Sequence, residues 1–205
     1  MRKIKQHSGL TLIELLVTLT VLGIMVVIGV PQYQRMTATN RSAGSINSLA
    51  SDLKLARTEA AKRSQVVTLC PSIDGGLTCS NTPNWENGWI VFSDVNRDGV
   101  FDNPPDVRVS LNTGLPVGLT LTATRFPDPA VIQYAPSGRL RTVVPDPSPD
   151  GTFLLCQTGV ADVNVRNTQA RGINVTNTGR VSASLDADAN DIREDITGAN
   201  FACPL

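Results

Sequence analysis

From Leu10 to Val30 the chain is a 21-residue apolar run with a single charged position, Glu14. A helix rising about 1.5 Å per residue makes such a run long enough to cross a hydrocarbon core of roughly 30 Å. Beyond it, Ile46, Leu49, Ala50, Leu53, Ala56 and Ala60 recur at intervals of three and four. That spacing predicts the amphipathic half of one long helix over 31–64, with Arg41, Asp52, Lys54, Arg57 and Lys62 on a solvated face. After Ser64 the pattern changes to short apolar runs broken by Gly, Pro and Asn. These predict strands at Val66–Cys70, Trp89–Asp94, Val107–Leu111, Leu119–Thr124, Val131–Ala135, Thr152–Gln157, Gly172–Asn177 and Arg180–Ser184. The segment Val144–Gly151 carries three prolines and reads as a loop. The expected fold is α+β: a long N-terminal helix laid across an antiparallel sheet, with residues 65–205 as a β-rich head.

Composition narrows what such a chain does. Of 205 residues 41% are hydrophobic, enough for a core, and the formal charge is zero. The only histidine is His7, ahead of the apolar run, so Ser-His-Asp and Cys-His catalysis and His-based metal sites have no residues in the head. No sequence feature points to an enzyme, and no cofactor is expected. Cys70, Cys79, Cys156 and Cys203 contain no C-x-x-C pair. Four cysteines allow three pairings. Cys70–Cys79, as a local loop, and Cys156–Cys203, as a pin for the C-terminal tail, are the expected ones, with buried thiols as the alternative.

The N-terminal segment poses a sharper question. Arg2, Lys3 and Lys5 precede the apolar run and no basic residue follows until Arg35, which predicts a cytoplasmic N-terminus. A secretory signal has an apolar region of about 7–15 residues and a small-x-small cleavage site, and neither fits. Glu14 is costly inside a membrane, on the order of 3 kcal/mol, and such residues are usually functional. Cleavage after Gly9 would create an amino group at Leu10, about one turn before Glu14, able to neutralise the carboxylate of a neighbouring chain. It would also leave 15 basic residues against 18 acidic ones, a net charge of −3.

The stretch SGLTLIELLVTL, Ser8–Leu19, closely resembles the prepilin signature of type IV pilins and type II secretion pseudopilins. The resemblance implies removal of a leader, residues 1–9, by a prepilin peptidase. It also implies methylation of the new N-terminal Leu10, where the family most often has Phe, and a role for Glu14 in aligning subunits. Gly23 and Pro31 match positions where the family's helix bends or unwinds, and both residues weaken a helix. In the head, LKLARTEAAKRSQVVTLC, WENGWIVFSDVNRDG, IQYAPSGRLR, GTFLLC and INVTNTGRV resemble the GspH/FimT-type branch of minor pilins and minor pseudopilins. The function this implies is a minor type IV pilin that primes assembly or sits at the fibre tip, in the inner membrane with a periplasmic head. Its partners would be other minor and major pilins. A minor pseudopilin of type II secretion and a DNA receptor for transformation are the alternatives.

Two head motifs suggest chemistry. Asp94, Asn96, Asp98 and Asp102 have the oxygen ligands and the Gly99 turn of a calcium loop, but Pro105 stands where an EF-hand has its bidentate Glu. An acidic turn between strands explains the same letters more simply. Gly138–Arg141 and Gly179–Arg180 are the compact basic features, and Arg139, Arg141, Arg171 and Arg180 could converge on phosphates. Relatives that bind DNA carry G-R-x-R near the C-terminus; here the late copy is GRVS and the complete one lies earlier. Exposed arginines on two β-turns are the simpler reading. Trp85 and Trp89 read as packing, and Asp186, Asp188 and Asp191 as a polar loop.

Overall fold

The computed structural model describes residues 11–142 and 149–203 and forms two units, residues 1–40 and 41–205. The cleavage site expected at Gly9–Leu10 and most of the proline-rich loop lie outside the described residues. Helix α1 runs Leu12–Arg63. Its first turn is capped by Thr11, whose hydroxyl accepts the Glu14 backbone N–H at 3.3 Å and whose carbonyl accepts that of Leu15. Every residue from Leu12 to Val30 is exposed, and this stretch is long and apolar enough to cross a membrane. The hydroxyls of Thr18 and Thr20 donate to the carbonyls three residues earlier, so these polar groups are satisfied within the helix. The helical backbone continues through both Gly23 and Pro31.

In the second unit the stripe expected on α1 is the centre of the core. Leu49, Leu53, Ala56 and Ala60 are fully buried and Ile46 nearly so. Ser64, in the left-handed region at φ 54°, ends the helix, and the Gln65 N–H reaches back to the Ala60 carbonyl. Each expected strand overlaps an observed one: β1 Val66–Pro71, β2 Trp89–Asp94, β3 Val107–Asn112, β4 Leu119–Thr124, β5 Ile132–Tyr134, β7 Gly151–Gln157, β8 Arg171–Val175 and β9 Val181–Ala183. A two-residue strand, β6 Leu140–Arg141, and a short helix, α2 Val163–Gln169, were not anticipated. Asp162 caps α2 by accepting the Asn164 N–H.

The strands form two antiparallel sheets, where one was expected: β3-β2-β1-β5-β6 and β4-β7-β8-β9. The reason lies in which faces must be covered. On β1, Val67 and Leu69 join the α1 stripe while Cys70 points the other way, to Ile90, Phe92 and Phe101. On β7, Phe153 and Leu155 join the same central cluster while Leu154 and Cys156 face Ala170, Phe201 and Cys203. Both strands are apolar on alternate positions of both faces, so neither fits a sheet with one wet side. The two disulfides, Cys70–Cys79 and Cys156–Cys203, hold a loop and the C-terminal tail over those outer faces. Phe201 of the tail sits where Gly172 leaves room; a Cβ there would lie 2.2 Å from the ring.

One residue of the supposedly solvated helix face is also structural. Asp52 accepts the Trp89 indole N–H at 2.8 Å and the Ser110 hydroxyl at 2.9 Å, tying α1 to β2 and β3. Asp52→Ala leaves the buried Trp89 donor unpaired and should destabilise the protein by about 1–3 kcal/mol. Denaturant unfolding followed by tryptophan fluorescence, on the full chain in detergent, measures this. An unchanged midpoint would show that the tether carries no stability.

Candidate functional site

The two basic motifs are two copies of one local structure. In the β5–β6 hairpin the Gly138 N–H bonds to the Ala135 carbonyl and the Ala135 N–H to the Arg139 carbonyl. In the β8–β9 hairpin the Gly179 N–H bonds to the Thr176 carbonyl and the Thr176 N–H to the Arg180 carbonyl. Both glycines are left-handed, at φ 74° and 76°. A turn whose last loop residue is left-handed matches the twist of paired strands, which explains Gly at both positions. The hairpins belong to different sheets, yet they abut: Leu140 N–H donates to the Asn177 carbonyl at 2.9 Å, and a Cβ on Gly179 would lie 2.0 Å from the Gly138 oxygen. Each Arg therefore follows a glycine at the seam between the sheets.

Where that seam meets α1 there is an open pocket of about 550 Å³ lined by Lys54, Arg57 and Thr58 of the helix and by both turns, including Arg180. Arg57 lies against the first turn; a Cβ on Gly138 would meet its Nε at 3.2 Å. Tyr134 lies under the seam, its ring 3.1 Å from the same hypothetical atom on Gly179. The phenol is buried, its hydroxyl has no hydrogen-bond partner among the described residues, and burial pushes its pKa up while the Arg57 charge opposes that. It stays neutral, so it supplies Arg57 with no counter-charge.

The four arginines singled out in the sequence do not form one patch. Arg139 and Arg180 follow the two abutting turns, but Arg141 is tied down, donating to the Gln133 Oε1 at 2.6 Å and the Arg97 carbonyl. Arg171 begins β8, at the opposite end of that strand from Arg180, and its pKa is lowered by burial and by the charge of Arg193. The two cations that share the pocket with Arg180, Lys54 and Arg57, were assigned to a solvated helix face. Helical periodicity locates a polar side but not the hairpins that converge on it.

The Asp94–Asp102 loop is built around its carboxylates. Asp94 is 1% exposed and accepts from the Thr68 hydroxyl, the Gln133 amide and the backbone N–H groups of Arg97 and Gly99. Asp106, likewise buried, accepts from Val95 and Asp102 N–H. Asn96 donates to Asp98. These internal donors give the loop a structural explanation that uses no ion. A second acidic loop brings together oxygens of Asp186, Asp188 and Glu194 within 4.8 Å of one another. Buried Glu194 accepts the Ala187 and Asp188 N–H groups, which accounts for its position. Glu194 and Asp195 also line a pocket that has Arg180 on its rim.

The model of the type II transport protein GspH matches residues 45–179, and that of the prokaryotic N-terminal methylation motif matches residues 4–30. Among solved structures, the type IV minor pilin FimU of Pseudomonas aeruginosa matches at 18% identity and a TM-score of 0.54, covering 73% of this chain and 92% of that one. A second crystal form of FimU gives 17% identity, a TM-score of 0.50, and 70% and 92% coverage. The minor pseudopilin EpsH of Vibrio cholerae matches at 16% identity and a TM-score of 0.45, over 70% of this chain and 95% of that one. The likeness to FimU is one of fold.

Two outcomes follow from this geometry. Gly179→Ala imposes a side chain on a left-handed residue, which costs about 1–2 kcal/mol before its clash with Gly138. A fall in stability of at least about 2 kcal/mol by thermal or chemical melting is expected, and unchanged stability would mean the turns do not abut. For Asp195, burial raises the pKa, but hydrogen bonds from Thr197, Arg125 and the Ala199 N–H outweigh it and hold the group at about 2. Its folded pKa is below its unfolded one, so its stabilisation is present above about pH 4 and is lost as pH falls towards 2. Acid titration of wild type against Asp195→Asn should differ in that window; identical curves would exclude this contribution.

Proposed function

The chain belongs to the family of the type II transport protein GspH, and on that premise we propose that it is a minor pilin, a structural subunit that primes a type IV pilus or sits at its tip. The observation that carries this reading is the union, on one chain, of the N-terminal methylation motif over 4–30 and the GspH match over 45–179. The first is the device by which a chain enters a filament; the second is a folded head. Subunits of this family assemble with other pilins and act as structural components.

The mechanism follows from the cost of a buried charge. A prepilin peptidase cuts after Gly9, and Leu10 becomes a methylated N-terminal amine. The apolar helix holds the subunit in the inner membrane with its N-terminus cytoplasmic and its head periplasmic. In the membrane Glu14 lacks a counter-charge. In the filament core the amine of an adjacent subunit neutralises it, so the carboxylate penalises every packing that misplaces that amine. Thr11 and Glu14 stand three apart in the first described turn, an arrangement that also favours an acidic residue through the helix dipole. The two roles are compatible, since capping uses the Glu14 backbone N–H and leaves the carboxylate available.

A minor pseudopilin of type II secretion is the second reading, favoured by the description of the matched family. Deleting the gene separates the two: loss of surface pili supports the first, and loss of exoprotein secretion with intact pili supports the second. Intact mass spectrometry of protein recovered from membranes should show a chain beginning at a methylated Leu10. Glu14→Ala should leave membrane insertion and processing unchanged and abolish incorporation into sheared filaments. Normal incorporation of that variant would overturn the role given to Glu14.

A further inference from the structure

The pocket at the seam is a concentration of positive charge with no acidic partner among the described residues. Lys54, Arg57 and Arg180 line it together with Thr58, Ser137 and Gly138, and no acidic side chain does. The described ion pairs are Lys62 and Arg63 with Glu59, and Arg125 with Asp195, so none involves these three cations. Nor does any described hydrogen bond use their side chains. Lys54 and Arg180 are exposed and Arg57 half-buried, held against the Gly138 turn. Cations gathered from two separate elements, α1 and the β8–β9 turn, repel one another, and the fold sets this repulsion in a concave site. The buried Tyr134 beneath them remains neutral. An external anion is what offsets such an arrangement.

We propose that this pocket docks a carboxylate-bearing segment on the head of a neighbouring filament subunit. The identity of the neighbour rests on the pilin reading above; the affinity for carboxylates does not. Charge and shape favour an acidic protein segment over nucleic acid. Binding a duplex tightly uses about 6–10 phosphate contacts along a strip. Here three cations sit in one recess, Arg141 is tied to Gln133, Arg171 lies at the far end of β8, and the chain has no net positive charge. Moreover Arg180 is flanked on its other side by a pocket lined by Glu194 and Asp195, which repels a continuous polyanion. A single glutamate or aspartate entering the recess meets two guanidinium groups, suited to planar carboxylates, and an ammonium. The pocket lies among residues that the Asp52 tether and the paired glycine turns hold in place, so little ordering is needed on docking.

The test uses the full chain in a non-ionic detergent, with a tetraglutamate peptide, a tetraserine control and a short DNA duplex as probes, by fluorescence anisotropy at low salt. Tetraglutamate should bind and tetraserine should not. Added salt should weaken the complex. Lys54→Gln with Arg180→Gln changes two exposed side chains, so the melting temperature should stay put while affinity falls by about tenfold or more. Absence of tetraglutamate binding at low salt would overturn the proposal, as would equal affinity in the double variant. Tighter binding of the duplex, lost in that variant, would overturn it in favour of a nucleic-acid site. Because the measurement uses no filament, its failure is separate from a failure of the assembly reading, which the Glu14 variant tests.

Discussion

Leu49, Leu53, Ala56 and Ala60 form a stripe along α1 that is sealed from solvent, and both sheets of the head converge on it. From one sheet come Val67, Leu69, Val91 and Tyr134; from the other come Leu121, Phe153, Leu155, Ile173 and Val175. Burying a large aliphatic side chain is worth about 1.5–3 kcal/mol, so this contact dominates the stability of the head. Ala56 and Ala60 are as fully buried as the leucines. The polar tethers at Asp52 then fix register: hydrophobic contact is non-directional, and a buried indole N–H seeking one carboxylate is not.

Once the strands commit their inner faces to this stripe, their outer faces become the problem. β1 and β7 are apolar on both sides, and what covers the second side is mostly irregular chain, with the short helix α2 beside β7, and such chain gains little by itself for being ordered. Disulfides solve this by restricting the unfolded ensemble. Cys70–Cys79 closes a loop in which Asp74 accepts from Ser72, Leu77 and Thr78, and these bonds hold its carboxyl well below the usual range. Cys156–Cys203 draws the tail across Ala170 and Gly172. Cys70 and Cys156 sit on strand positions whose parity points outward, so covalent bonds appear where the hydrophobic core cannot reach.

The strands were legible because a short apolar run bounded by Gly, Pro or Asn is a local property: VVTLC, WIVFSD and LTLTAT stand out whatever surrounds them. Their division into two sheets was not, since partnership between strands is decided by faces that meet only in the folded head. β6 and α2 were hidden for a simpler reason. Leu140–Arg141 is too short to show a period, and VNVRNTQ lacks an apolar stripe and is positioned by the Asp162 cap and the neighbouring tail. Asp52 looked solvated because helical spacing places it among charges, yet its partners Trp89 and Ser110 come from 37 and 58 residues away. At the N-terminus, by contrast, nearly all of the functional reading came from consecutive letters, because a membrane span and a processing signal are themselves linear.

The same contrast bears on how the chain distributes its charged groups. In the apolar run a single carboxylate, Glu14, stands against an apolar background, where a low dielectric would magnify one group. In the head the background is water, so one exposed arginine counts for little. There the fold gathers Lys54, Arg57 and Arg180 in one pocket instead, by setting two abutting turns of like conformation against α1. Gly138 and Gly179 are required by geometry; Arg139 and Arg180 are not, since a β-turn accepts almost any residue after a left-handed glycine. Arg180, sharing a pocket with a lysine and an arginine one turn of helix apart, therefore reflects the surface rather than the fold.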